Sequence, residues 1–186
     1  MVSSAGRVYP VELGGLHHVT AVTSQASHNV AFYTQVLGLR LVKKTVNQDD
    51  VTAYHLFYAD RLGHPGMDLT FFDWAFATRH RPGAGQVGRT GLRVHGWEAL
   101  EWWRERFNRF GAPHGDIREE AGRLTLMFTD PEGQQLALVD DTVPPDVQVI
   151  SPGEPWEKSP IPRAMAIRGL ASARSTCVRC RRQGVF

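Results

Sequence analysis

The chain states one plan twice, and that repetition restricts its fold more than any other feature. In LHHVTAV (16–22), strand alternation puts Leu16, His18, Thr20 and Val22 on one face and His17, Val19 and Ala21 on the other. A helix follows, with Ser24 or Ser27 available to cap it and Val30, Tyr33, Val36 and Leu37 forming an apolar stripe. Gly38 suits the left-handed position just past its end. Three strand patterns come next, at 39–46, 53–60 and 67–74, the last two joined by the loop RLGHPG. After a linker at 79–86 the order recurs. A strand at 90–95 leads to an amphipathic helix at 97–110, with Leu100, Trp103, Phe107 and Phe110 on its stripe and Gly111 beyond it. A weak strand at 116–120 then precedes two strong ones at 123–130 and 134–141 around a DPEG turn. Gly38 and Gly111 lie 73 positions apart, and His18 and Thr90 lie 72 apart, the near-constant offset of an internal duplication.

This order predicts an α+β fold: two tandem βαβββ modules forming a curved mixed sheet with the helices on its convex face. Each helix covers one face of its unit, so the concave face stays open until another unit arrives. Pairing two such units is expected to build a cup able to hold a small molecule or a metal. The divisions follow: a leader at 1–14, a first module at 15–78, the linker at 79–86, a second module at 87–141 and a proline-rich arm at 142–168. AIRGL (166–170) reads as a fresh strand start resembling GGL at 14–16. From 169 to 186 the chain reads as the start of a third module that is lost, or as an aberrant tail, because ASARSTCVRCRRQGVF has no apolar periodicity.

Composition narrows the partners. At 186 residues and 42% hydrophobic the chain can bury a real core, but its apolar runs fall far short of the roughly 20 residues a membrane helix needs. The N-terminus lacks the apolar run of a secretory signal, which makes the cytoplasm the expected location. The net charge of +2, less the four arginines of the last sixteen residues, leaves −2 on the rest, so neither a nucleic acid nor a membrane surface is an expected partner. Both cysteines lie in the tail, in CVRC (177–180). A lone CxxC can be half a zinc site or a redox pair, but no second pair follows and no βαβ context surrounds it, so an accidental pair is the simpler reading.

Two polar residues, His18 and Thr20, share a face with Leu16 and Val22, which needs a reason. His18 is either a ligand or a hydrogen-bonded interior histidine; pattern alone leans to the second. Thr20 can orient a bound substrate, or simply be a strand threonine. His17 points away from His18 on this reading and takes a strand-end role. His55 can line the cup, although a satisfied core histidine explains it as well. Trp102 and Trp103 are neighbours on a helix, so only one can face the core fully.

The segments GLHHVTAVTS (15–24), VAFYTQVLGLRLVKKTVN (30–47), YHLFYADRLGHPGMDLTFF (54–72), EWW (101–103) and FTDPEGQQLALVDD (128–141) resemble the vicinal oxygen chelate superfamily of glyoxalases, bleomycin-resistance proteins and extradiol dioxygenases. They are most similar to ring-cleaving dioxygenases of the hydroquinone type. The resemblance implies that His18 is an Fe(II) ligand, with Mn(II) as an alternative ion; Thr20, on the same face, can orient bound substrate or a ligand. It implies a small aromatic substrate and O₂. It also implies four such units, the remaining ligands, a histidine and a glutamate, coming from a second half. The second unit present here has Thr90, Ala137 and Leu138 where ligands would align. An N-terminal half with little activity alone is therefore expected, from a truncated or frame-shifted product. A homodimer would pool two copies of His18 yet lack a clear carboxylate. The alternative is a metal-independent small-molecule binding module of the bleomycin-resistance kind.

Overall fold

A computed structural model of the chain describes residues 15–79, 81, 83–142 and 152–175. The leader, the CVRC pair, His80 and residues 143–151 of the arm lie outside them. The elements run β1 (His18–Thr23), α1 (Ala26–Ala31) continuing into a π-type turn (Phe32–Val36), β2 (Arg40–Val46), β3 (Tyr54–Ala59) and β4 (Asp68–Asp73). The second unit gives β5 (Val87–Val94), α2 (Gly96–Phe110), β6 (His114–Glu120), β7 (Arg123–Thr129) and β8 (Gln135–Asp140). A 3-10 turn (Arg163–Met165) and β9 (Gly169–Ser175) follow. The strands form two mixed sheets, ordered β1-β4-β3-β2 and β6-β7-β8-β5-β9.

Each helix covers one face of its own sheet. Tyr33 packs on Tyr58 and Phe71, with ring centroids 5.2 and 4.7 Å away, and Phe107 stacks on Phe128 at 4.5 Å. The two helix-bearing faces then share a single core. Phe32 lies 6.5 Å from Phe128, and Tyr33 donates from its hydroxyl to the Asp130 carboxylate at 3.3 Å. Arg106 of α2 donates to the carbonyls of Val36 (2.8 Å) and Gln35 (2.6 Å), satisfying acceptors that the end of the first helix leaves open. The units join through their helical layers, and His18, Thr20 and Val22 of β1 stay exposed on the face away from them.

Local details differ from the sequence reading for identifiable reasons. Neither serine caps α1; the N-cap is Gln25 and makes no side-chain cap bond. Ser24 is engaged elsewhere: its amide and hydroxyl donate to Glu132 Oε1 at 2.8 and 2.6 Å, while the Thr23 hydroxyl donates to Glu132 Oε2. The DPEG turn of the second unit is thus bolted to the end of β1. Glu132→Ala removes three charge-assisted bonds and is expected to lower stability by about 2 kcal/mol. A lower urea midpoint at unchanged slope would register it; an unchanged midpoint would show the bolt to be energetically idle.

The arm is a strap across both units. Trp156 Nε1 and Ser159 Oγ both donate to the Gly38 carbonyl, at 3.0 and 2.9 Å. Gly38 has φ +71°, and a Cβ there would come within 2.2 Å of Ile161, so only glycine permits both the turn and the strap's approach. Trp103 Nε1 donates to Met165 O at 2.8 Å. The strap delivers the chain to β9, which pairs antiparallel with β5 from Gly169 to Ser175. The strand therefore continues five residues past Leu170, into the segment that shows no apolar period. An edge strand needs backbone complementarity more than an apolar pattern. The matching edge of the first sheet, β1, carries no such strand among the described residues.

Candidate functional site on the open face of the first sheet

Cross-strand register fixes which side chains share the open face. Val22, Phe72, His55 and Thr45 form one row across the sheet. Thr20, Thr70, Phe57 and Lys43 form the next, and His18 stands beside Asp68 in the third. Val19 and Ala21 pair with Leu69 and Phe71 on the helix side.

His18 and Thr20 thus lie on one exposed face. The Thr70 hydroxyl donates to Thr20 Oγ1 at 2.9 Å, which leaves the Thr20 hydrogen free to donate outward. His17 does not part from His18. Their Nδ1 atoms are 3.1 Å apart and the rings meet edge to face at 5.3 Å. Alternation fails here because β1 begins at His18; His17 precedes it, held by Gly66 N donating to its carbonyl at 2.7 Å. Burial raises the Asp68 carboxyl above its ordinary value, while the nearby imidazoles of His17 and His18 pull it down.

His55 was legible as a cup-lining or core residue, but not its surroundings. Its ring sits between Phe57 and Phe72, at 4.0 and 4.2 Å, and Phe72 stacks in turn on Trp74 at 5.3 Å. His55 Nε2 is buried with no hydrogen-bond partner. Burial, then the charges of His18 and Lys43, hold its pKa below the usual histidine value, so the ring is neutral near pH 7. Alternation along 53–60 was the only sequence signal for this ladder. A cleft of about 360 Å³ opens at the free edge of β1, between Thr20, Val22, Val87 and Glu132.

The second unit repeats the plan but not the chemistry. Thr90 is out of phase with His18: it pairs with Leu136, which pairs with Phe128, so it is buried on the α2 side. The open-face counterparts are Gly91 and its partner Ala137, neither of which can bind a metal through a side chain. Among the described residues no three His, Cys, Asp or Glu side chains gather closely enough to hold a metal ion. Nor is any described helix long and apolar enough to cross a membrane.

This architecture defines a class. Residues 15–138 match the profile of the Glyoxalase/Bleomycin resistance protein/Dioxygenase superfamily, and the chain belongs to it. Within that class it is 43% identical over 166 residues to a Bacillus subtilis (strain 168) protein provisionally named ring-cleaving dioxygenase MhqA, covering 89% of this chain and 51% of that one. It is 32% identical over 170 residues to the chlorohydroquinone/hydroquinone 1,2-dioxygenase of Sphingobium indicum, covering 90% and 51%. A solved dioxygenase structure from B. subtilis, itself a provisional assignment, superposes with a TM-score of 0.76 at 36% identity, over 86% of this chain and 48% of that one. The chain spans about half the length of these relatives. A glyoxylase/bleomycin resistance protein/dioxygenase domain from Frankia shares the fold at 16% identity, with a TM-score of 0.60.

Proposed function

We propose that this chain supplies the His18 portion of a non-haem Fe(II) ring-cleaving dioxygenase acting on a hydroquinone- or catechol-like aromatic with O₂. The observation that carries the reading is His18 on an open sheet face beside Thr20 and Asp68, in a chain this similar to proteins named for ring cleavage.

The residues fit part of a metal site. Imidazole and carboxylate donors suit Fe(II), and Mn(II) is an acceptable substitute. His18 would be the ligand, with the missing histidine and glutamate contributed from outside the 186 residues. A bound Fe(II) would supply the electron transfer between aromatic diol and O₂. The chain's own residues prepare that encounter. Thr20 turns its free hydroxyl hydrogen toward a substrate oxygen, and Thr70 holds Thr20 in that orientation. His17 stays against His18 through its backbone bond to the 60–66 loop. We take residues 15–78 as the site-bearing module, joined by 79–86 to a supporting module at 87–141. Residues 152–168 strap the two, and 169–175 continue as β9 against β5. A cytoplasmic setting suits an Fe(II) enzyme.

Anaerobic equilibrium dialysis with Fe(II), paired with oxygen-electrode assays on hydroquinone, tests this. The native chain should take up iron weakly and below one equivalent, His18→Ala should take up less, and O₂ consumption should be slight. Tight stoichiometric iron would overturn the partial site. Uptake unchanged in His18→Ala would remove His18 as ligand. Hydroquinone binding that survives chelator and His18→Ala would make the chain a metal-independent binding module instead.

A further inference from the structure

The two sheets carry equivalent edges, and one of them is filled. β5 opens the second unit as β1 opens the first, and its outer edge takes β9. β1 pairs with β4 on one side and with no described strand on the other. The Gly66 and Trp74 amides donate to the carbonyls of His17 and Thr23 on the β4 side, at 2.7 and 2.9 Å. By strand alternation the N–H and C=O groups of His18, Thr20 and Val22 face the free edge. β1 also lacks the devices that blunt an edge: it has no proline and no lysine, and its register with β4 runs without a bulge.

The occupied edge indicates what the empty one fits. Its uninterrupted pairs are Arg89 with Arg174, Thr90 with Ala173 and Gly91 with Ser172. The glycine offset of 73 carries β5 onto β1, so Gly91 maps to His18 (91 − 73 = 18). RGL at 168–170 matches GGL at 14–16, an offset of 154 (170 − 16), so Ser172 also maps to His18 (172 − 154 = 18). The three pairs become Leu16 with Thr20, His17 with Val19 and His18 with His18. Such a register is self-complementary, which is what an isologous two-fold interface requires. The sides agree too. Arg168 N donates to Arg93 O at 2.8 Å, so Arg93 and Gly91 turn their backbone groups toward β9 as His18 turns its own outward.

We propose that the free edge of β1 binds the same edge of a second copy of this chain, antiparallel about a two-fold axis at His18, and that the two His18 imidazoles clip one divalent metal ion between the copies. The sheet then runs through eight strands. In a hydrogen-bonded antiparallel pair the Cα atoms stand about 5.5 Å apart with both side chains on one face. Here that is the exposed face that also carries Thr20. His17 engages His18 Nδ1 at 3.1 Å, whereas His18 Nε2 makes no hydrogen bond among the described residues and is free to ligate. Asp68 stands beside His18 in each copy, so the row reads carboxylate, imidazole, imidazole, carboxylate, a set of groups that suits a divalent transition metal. The pairing rests on backbone register alone, while the clip rests on the premise it shares with the dioxygenase reading, that His18 ligates metal.

The test is sedimentation velocity of the 186-residue chain carrying Cys177→Ser and Cys180→Ser, which removes thiolates as competing ligands, in EDTA and then with Co(II). In EDTA a reversible monomer–dimer equilibrium is expected. Co(II) should tighten it about tenfold and saturate at one ion per two chains. His18→Ala should dimerise as the parent does in EDTA and ignore Co(II). Thr20→Pro removes a free-edge N–H, which an edge strand tolerates, and should leave the chain monomeric with its circular dichroism intact. Hydrogen exchange reads the same edge without a variant: the His18 and Thr20 amides should gain protection as concentration rises, while Val19, whose N–H faces β4, should not. A chain that stays monomeric at millimolar concentration in both conditions overturns the proposal, as does a dimer that leaves those two amides unprotected. A dimer indifferent to Co(II) overturns the clip and removes His18 as a metal ligand. Co(II) bound through His18 in a monomer overturns the pairing and leaves the dioxygenase reading standing.

Discussion

Trp103→Ala is expected to cost the fold about 3–5 kcal/mol, the range for deleting a large aromatic from a well-packed core. Trp103 is fully buried and is the largest side chain that is. Its ring contacts Phe107 at 5.5 Å and Trp102 at 5.2 Å, and its indole N–H donates to Met165 O in the strap. The substitution therefore opens a cavity under α2 and releases the strap from the second unit together. Trp102, its partly buried neighbour, cannot compensate, since its ring is already engaged by the Arg106 guanidinium at 5.3 Å. Urea unfolding should show the midpoint falling steeply. Trp103→Phe separates the two losses: it keeps most of the burial and surrenders only the bond to Met165, a loss of about 1 kcal/mol. If Trp103→Ala unfolds within 1 kcal/mol of the native chain, the shared core is not what joins the units.

Legibility in the sequence tracked how local each constraint is. The strands and both helices follow from period 2 and period 3.6, which each segment carries within itself, and the positive-φ glycines at 38 and 111 punctuate the two helices as their sequence suggests. Phase between repeats is different. Counting 72 residues from His18 lands on Thr90, whereas the glycines count 73 and land on Gly91, and one residue exchanges the open face of a strand for the buried one. The convergence of His17 on His18 escaped because alternation was extended one residue beyond the strand that enforces it. Glu132 reaching Ser24 across 108 positions, the strap's grip on Gly38 and the ladder around His55 are tertiary events. No window of sequence contains both partners of the first two. The contact between the two helical layers escaped for the same reason, since Phe32 with Phe128, Tyr33 with Asp130 and Arg106 with Val36 each join segments far apart in the chain.

Asp60→Ala should be comparably damaging, at about 3 kcal/mol or more, and its effect should depend on pH. The Asp60 carboxylate is almost wholly buried. Its Oδ1 accepts from the amides of Leu62, Gly63 and His64 at 3.1, 2.7 and 3.1 Å. Its Oδ2 accepts from His64 Nδ1 at 2.6 Å and from the strap amide of Glu154 at 2.8 Å. Alanine strands all five donors. Burial alone would raise this carboxyl, but the bonds from His64, Glu154 and Gly63 outweigh it and hold the pKa below the ordinary aspartate value. A depressed carboxylate contributes stability above its unfolded pKa, near 3.9, and loses it as pH falls through the lower folded value. The gap between native and Asp60→Ala chains should therefore be widest near neutrality and shrink below about pH 4. Urea titrations across that range measure it, and a gap independent of pH would mean that the charge is not what the loop binds. The consequence reaches the site, because the loop Asp60 organises ends at Gly66, whose amide holds the His17 carbonyl and whose carbonyl accepts from Leu170 in β9. Relaxing that loop at neutral pH should loosen the His17–His18 pair and broaden its NMR resonances, while the ladder around His55, two rows away on the same face, keeps its own.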